Sequence, residues 1–379
     1  MHILILLSAF AWLSVLAAPW LAWLPRERLE PEEDRSGHHD EPERLAEVCA
    51  LVPARDEAEV IGRTLQGLAR QAGGLRVIVI DDESTDGTAA LAAAAFPAER
   101  LTILRGASPP PGWSGKLWAL EQGLREAGDA RYLLLLDADI ELAPGMVAAL
   151  LGKLEREPRD LVSLMATLRM ETFWEKMLAP AFVYFFKLLY PFALSNSRWK
   201  GVAAAAGGCI LVRREMLEKI GAFASIRGAL IDDCTLARRV KEAGGRIWLG
   251  LSHSVRSHRP YPDLASLWNM VARNAFTQLR YSPGLLLVTT AALALVFFVP
   301  CAGLFLPREG NQLIAGIALA VMGVCYLPTL LYYRRSPVWM LALPLIGALY
   351  LGMTWSSALR YWRGQRSQWK GRMYKTAGA

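Results

Sequence analysis

The chain has 379 residues, too many for one small domain and enough for two. Hydrophobic residues make up 53%, which is high for a soluble protein and directs attention to membrane segments. The formal net charge is +7 and the five cysteines are scattered without CxxC pairs. That pattern excludes a readable zinc site or disulfide frame and suits a reducing compartment.

In chain order, Ile3 to Leu24 carries no charge. At 1.5 Å per residue it reaches across a hydrocarbon core of about 30 Å and is expected to be a membrane anchor (residues 1–25). A signal peptide fits less well, because only His2 stands in for a basic start and no small-x-small site precedes Pro25. Residues 26–46 fall in a polar, proline-bearing stretch that reads as a flexible linker. His38 and His39 lie inside it and read as a solvated loop rather than a metal site. Apolar runs and helical patterns then alternate. "VCALV", "RVIVIDD", "LTILRG", "RYLLLLDAD" and "LVSLMATLRM" read as strands, and "VIGRTLQGLARQ", "TAALAAAAF", "KLWALEQGLREA" and "PGMVAALLGKLER" as helices. Strands without strict polar alternation, separated by helices, predict a mostly parallel, Rossmann-like α/β sheet covered on both faces.

In such sheets ligands bind beyond the carboxyl ends of the strands. Three predicted strand ends there carry acids: "PARDEA", "DDESTDGT" and "DAD". A GxGxxG fingerprint after the first strand is absent, which speaks against a nicotinamide or flavin enzyme. Carboxylates converging at a sheet edge suit Mg2+ or Mn2+ bridging phosphate oxygens. In "DAD" alternate strand residues point the same way, so Asp137 and Asp139 are expected to face one ligand together. A three-residue DxD also arises by chance; its place after a buried strand, 55 residues beyond Asp82, is what gives it weight.

"VPARDEA", "VIVIDDESTDGT", "GWSGKLWAL", "LLLLDADI", "AAAGGCILVRREMLEKIGAF" and "IDDCTLARRVKEAGG" follow one another in an order and spacing that resembles family-2 glycosyltransferases of GT-A fold, over roughly Glu47 to Pro262. With its flanking apolar segments the chain is similar to the hopanoid-biosynthesis-associated branch and, more distantly, to ceramide glucosyltransferases. The resemblance implies a membrane-bound transfer of sugar from a nucleotide-diphosphate sugar, UDP-linked, to a lipid acceptor. It implies a bacterial inner membrane with the catalytic domain in the cytoplasm, and no nucleic-acid partner. It implies that Pro53, Arg55, Glu57, Asp81 and Asp82 hold the base and ribose, that Lys116 lies near the diphosphate, and that Asp137 and Asp139 form the DxD motif with Asp139 the direct metal ligand. Asp233, preceded by Asp232, matches the general base. An inverting transfer needs one carboxylate to deprotonate the acceptor opposite the leaving diphosphate, which agrees with that role. One of the acidic pair also has a helix N-cap as an alternative. Gly207 and Gly208 would admit the acceptor close to backbone, or form a plain strand turn. Cys209 reads as core, and His258 is a candidate contact to metal or diphosphate.

The match departs from membrane members at the Q/R-x-x-R-W motif. "TQLRY" stands nearest, leaving Arg280 to neutralise diphosphate. That weighs against a processive polysaccharide synthase; the other alternative is a silent scaffold of a lipid-synthesis complex, against which the full carboxylate set argues. The catalytic domain is expected over 47–280. Within it, Phe173 to Trp199, aromatic but interrupted by prolines and lysines, is expected to lie on the membrane surface rather than cross. Residues 281–379 hold apolar runs and the basic tail "RYWRGQRSQWKGRMYK", suited to anionic headgroups. Three crossings there would place the tail outside, against the positive-inside tendency, so the proline-broken Val338 to Trp355 is expected to be re-entrant or interfacial.

Overall fold

The computed structural model describes residues 1–31, 41–307, 309–364, 368–369 and 372–373. His38, His39 and most of the basic tail lie outside the described residues. The chain divides into two compact units. A sheet unit comprises Glu27–Arg169, Leu194–Pro260 and Gln368–Ala379; a helical unit comprises Met1–Arg26, Met170–Ala193 and Tyr261–Ser367.

The sheet unit is built on eight strands: β1 (Val48–Ala54), β2 (Arg76–Asp81), β3 (Leu101–Arg105), β4 (Tyr132–Leu136), β5 (Ile140–Leu142), β6 (Leu161–Thr167), β7 (Cys209–Arg213) and β8 (Ile247–Ser257). Their order is β3-β2-β1-β4-β7-β6-β8-β5. Strands β1 to β4 are mutually parallel and β6 runs parallel to β8, whereas β7 and β5 are antiparallel to their neighbours. The sheet is therefore mixed rather than wholly parallel. Why the strands lack polar alternation is visible in β1 and β4. Val48, Ala50, Val52 and Ala54, with Tyr132, Leu134 and Leu136, enter one core beneath helices Ile61–Ala69 and Met146–Arg156. Cys49 and Leu51, with Leu133 and Leu135, enter a second core beneath helices Gly115–Glu126 and Asp232–Glu242. Alternate side chains serve opposite faces, and both faces are dry.

Two expectations change. The linker is not free throughout: Leu29 N–H donates to Leu251 O and Leu251 N–H to Glu27 O, while the Glu30 carboxylate accepts from the Ser252 hydroxyl and the His253 and Ser254 amides. Residues 27–30 thus pair with β8, because the short β5 covers only Val255–Ser257 and leaves the amides of the preceding residues open to an extended segment. The first apolar run, Ile3 to Leu24, is also helical over only part of its length. Its helix, His2–Ala17, is 16 residues long, about 24 Å at 1.5 Å per residue. Pro19 forces Ala18 out of the helical region, to φ −56° and ψ 128°.

In the helical unit, Pro283–Gly303, Gly310–Tyr332 and Pro337–Trp362 are long and apolar enough to cross a membrane. The stretch expected on the membrane surface begins as one helix, Phe173–Leu189, opened by a Thr172–Glu175 capping box. Residues up to Ala193 belong to the helical unit and those from Leu194 to the sheet unit.

Candidate active site

The strand order reverses at β1, which has β2 on one side and β4 on the other. The β1–β4 ladder stops at Leu51 and Leu135, while β1 continues with β2 to Ala54 and Asp81. Beyond Leu51 strands β1 and β4 no longer pair, which marks the switch point at whose carboxyl ends α/β sheets bind ligands. Pro53, which has no N–H to give a ladder, sits on β1 past that point.

The loops after β1 and β2 are knitted into one wall. Arg55 Nη1 donates to Asp82 O at 2.6 Å and lies 3.5 Å from the Asp82 carboxylate, which is buried. Thr85 N–H donates to Asp56 Oδ1, Ala58 N–H to Asp86 Oδ2 and Glu57 N–H to Thr88 Oγ1, at 2.9, 3.0 and 2.9 Å. Asp81 Oδ1 accepts from Ser84 N–H at 3.1 Å. Asp56 and Glu83 have φ of +48° and +57°, left-handed values that non-glycine residues hold only where surroundings over-determine them.

Lys116 stands in the first turn of helix Gly115–Glu126, whose N-cap Ser114 accepts from Leu117 N–H. Its ammonium is 2.7 Å from Asp137 Oδ1, 3.5 Å from Asp232 Oδ2 and 3.5 Å from Gly207 O. Burial alone would make it easier to deprotonate; Asp137 and Asp232 outweigh that and hold it charged. Asp233 accepts from Gly207 N–H at 2.8 Å through Oδ2 and from Cys234 N–H at 2.7 Å through Oδ1. Burial, then the neighbouring Asp232 charge, raise its carboxyl to about 6. A Cβ on Gly207 would fall 3.2 Å from Asp233 Oδ2 and 3.5 Å from Lys116 Nζ, so the glycine lets the backbone close on the carboxylate. Neither acid is the N-cap. Ile231 holds that position without a side-chain bond, and Asp232 and Asp233 occupy the first turn, where the helix dipole favours negative charge.

The DxD pair lies past the end of β4, in a turn closed by Ile140 N–H to Asp137 O at 3.1 Å, not in extended strand. The two acids consequently have different partners. Asp137 N–H donates to Gly208 O, and its carboxylate meets Lys116. Asp139 accepts from the Ser257 hydroxyl at 2.6 Å and is 3.5 Å from Arg259, which also donates to Glu57 at 2.7 Å. Burial raises the Asp137 carboxyl, with Lys116 opposing and Asp139 adding to the rise. His258 donates its backbone N–H to Asp139 O at 2.8 Å. Its ring links Arg63, 3.1 Å from Nδ1, to Glu141, 2.6 Å from Nε2. An arginine can only donate, so Nδ1 accepts and Nε2–H donates to Glu141.

The sheet unit therefore brings together Lys116, Asp137, Asp232, Asp233 and Gly207 in one cluster, and Glu57 and Asp139 in another. Gly208 links to the first through Asp137. Arg55 and Asp82 form the adjoining wall, with Asp81 and Pro53. Arg280 belongs to the helical unit, at φ +51°. Ser257 and Arg259 were not singled out in the sequence. They follow "SV" at the end of β8, and their only signal was being one more polar strand end. Among the described residues, no three His, Cys, Asp or Glu side chains converge as a metal cluster. The site still fits a divalent cation: Asp137, Asp139, Glu57, Asp232 and Asp233 outnumber the cations that face them, Lys116 and Arg259, and Mg2+ commonly takes one or two protein carboxylates with phosphate oxygens and water.

Residues 49–221, somewhat under half the chain, match the family model described as Glycosyl transferase family 2. That match runs from β1 through β7 of the sheet unit. Among solved structures, it is similar to a mannosyltransferase from Pyrobaculum calidifontis in complex with GDP-Man and Mn2+, at 19% identity over 96% of each chain and a TM-score of 0.57. It also matches glucosyl-3-phosphoglycerate synthase from Mycobacterium tuberculosis in complex with phosphoglyceric acid (23% identity, 68% of this chain and 88% of that one, TM-score 0.43) and S. aureus TarS in complex with UDP-GlcNAc (14%, 86% and 95%, 0.40). No curated protein matches the chain significantly. The fold of this glycosyltransferase is thus GT-A, α/β with a mostly parallel sheet.

Proposed function

We propose that this glycosyltransferase moves one sugar, with inversion, from a nucleoside-diphosphate donor to the hydroxyl of a membrane lipid. Asp233 carries the reading. It is a buried carboxylate held by two backbone amides, beside a lysine-bearing cluster, with its proton affinity raised to about 6. A general base works best when its pKa lies near the working pH. In the step, the acceptor oxygen bonds to the anomeric carbon, the carbon–phosphate oxygen bond breaks, the hydroxyl proton passes to Asp233 and the nucleoside diphosphate leaves. Lys116 offsets charge on that leaving group, and Arg55 with the Asp81–Asp82 wall orients the nucleoside. Mg2+ or Mn2+, held by Asp139 and Asp137, would supply further charge stabilisation of the diphosphate.

Support for a lipid acceptor comes from the apolar helices; a hopanoid or related polyprenoid, and a UDP-linked donor, follow from the sequence resemblance. The same resemblance supports the cytoplasmic face of a bacterial inner membrane. The test is transfer of labelled sugar from UDP- and GDP-sugars to lipid extracts, beside donor hydrolysis in detergent. Labelled lipid that disappears in Asp233→Asn supports the reading. Donor hydrolysis with no labelled lipid from any extract overturns the lipid acceptor, and no turnover of any donor overturns the enzyme assignment.

A further inference from the structure

The last apolar helix, Pro337–Trp362, has the length to cross a membrane, yet its neighbours inside the helical unit place both its ends on one side. The reasoning starts from segment 261–282, which leads the chain into the first span, Pro283–Gly303. Its helices have nine and four residues, about 14 and 6 Å, too short for a core of about 30 Å. The segment marks an entry side. The second span starts where the first ends, since a Cβ on Gly303 would sit 2.8 Å from Ala315. Being of similar length, it returns to the entry side, where Arg334 and Arg335 follow it.

Helix Phe173–Leu189 is tied to the entry segment at both ends. Tyr261 N–H donates to Glu175 at 2.8 Å, and the Tyr190 hydroxyl donates to Gln278 at 2.7 Å. The two ends of the helix therefore sit at that side, while its middle packs against the spans, Phe185 lying 5.9 Å from Phe297 and Tyr184 5.0 Å from Tyr326. The last helix packs on these same pieces. Near its start, the Trp339 ring is 5.5 Å from Phe173. Further along, the Tyr350 hydroxyl donates to Leu178 O at 3.0 Å. At its end Arg360 donates to Asn269 at 2.7 Å, and Tyr361 stacks on Tyr281 at 4.5 Å. Its middle reaches deeper: a Cβ on Gly347 would lie 2.7 Å from Phe297, 14 residues or about 21 Å into the first span.

We infer that Pro337–Trp362 is a re-entrant arch and not a crossing. After the entry segment the chain crosses twice, so Arg334, Arg335 and Arg363 come to the leaflet on the entry side and meet anionic phospholipid headgroups there. The charge pattern agrees, since these three cations gather on one leaflet, as the positive-inside tendency requires.

The inference rests on the helical unit being membrane-embedded, and the experiment separates the two. Single cysteines at Ala98, Gly310 and Arg363, all exposed, are labelled with an impermeant maleimide in sealed right-side-out and inverted vesicles of the full chain. Arg363→Cys labelling in the same preparation as Ala98→Cys, with Gly310→Cys in the opposite one, is expected. Arg363→Cys labelling with Gly310→Cys would show a third crossing and overturn the arch. Release of the protein by alkaline carbonate would overturn the membrane reading beneath it. A fluorophore at position 363 in nanodiscs should be quenched by headgroup-labelled phosphatidylglycerol, with loss of quenching at high salt; absence of quenching overturns the headgroup contact.

Discussion

The two units treat their polar and apolar groups in opposite ways. In the sheet unit, buried charge is matched group by group. The Lys241 ammonium, on a side chain 3% exposed, donates to Ser195, Trp199 and Val202 carbonyls at 2.9, 2.6 and 2.7 Å. Its large exposed apolar side chains among the described residues are Leu91 and Trp199. The helical unit presents Phe10, Leu287, Phe305 and Leu341 at 70%, 61%, 87% and 75% exposure, and it buries the Tyr184, Tyr326 and Thr329 hydroxyls without a partner. A surface that greasy is unstable in water and ordinary against hydrocarbon. Stability in the sheet unit therefore rests on pairing as well as packing, and in the helical unit mainly on packing, with polar ties such as Glu175–Tyr261 and Tyr190–Gln278 between its pieces.

The difference can be broken at several points. The largest effect is expected at Asp233. Asp233→Asn keeps the shape and removes the proton acceptor, so transfer should fall about 10²- to 10⁴-fold while donor binding barely changes. In the unaltered enzyme kcat/KM should rise with pH through an apparent value near 6, because the base must be ionised. The stability effect has the opposite sign. A carboxyl raised in the folded state makes the protein lose stability as pH climbs from the unfolded value near 4 to about 6. Asp233→Asn should then raise Tm at pH 7 and leave it unchanged near pH 3; an equal effect at both would show that burial does not set this group.

Next comes Ser257→Ala. The serine orients Asp139 as partners of metal ligands do, and its loss should weaken Mn2+-dependent donor binding by roughly 10- to 100-fold. Calorimetric binding that is unchanged in chelator would remove the cation from the scheme altogether. Lys241→Met is expected to cost about 1–3 kcal/mol, since it strands buried carbonyls, and to lower the denaturation midpoint accordingly. Smallest is Tyr326→Phe. Removing a hydroxyl that has no partner should change the thermal midpoint in detergent little, within about 0.5 kcal/mol. A loss as large as that of Lys241→Met would show that the helical unit depends on polar pairing too.

Much of the sheet unit was legible because its signals are local. Strands β1, β2 and β4 are short apolar runs closed by acids, and helices Ile61–Ala69 and Gly115–Glu126 repeat apolar residues every three or four positions. The insertion of β7 beside β4, antiparallel, was not legible, since strand direction is a property of pairing rather than of composition. The partners of Asp139 were hidden for a similar reason: Ser257 and Arg259 lie about 120 residues away in the chain and meet it only because β5 pairs with β8.

Residue types and their order set the chemistry available: acids at strand ends, a lysine after a turn, two glycines before a buried strand, and apolar segments with a basic close. The tertiary structure decided which of these act together. It separated Asp137 from Asp139 by giving them different cations, closed Gly207 on Asp233, and put Arg280 in the helical unit. It also set Tyr350 of the last helix against Leu178 of helix Phe173–Leu189. The physical reason is common to all of these. A residue's type fixes the bonds it can make, but charge compensation, burial and sidedness depend on neighbours that sequence order leaves far apart and only folding brings within a few ångströms.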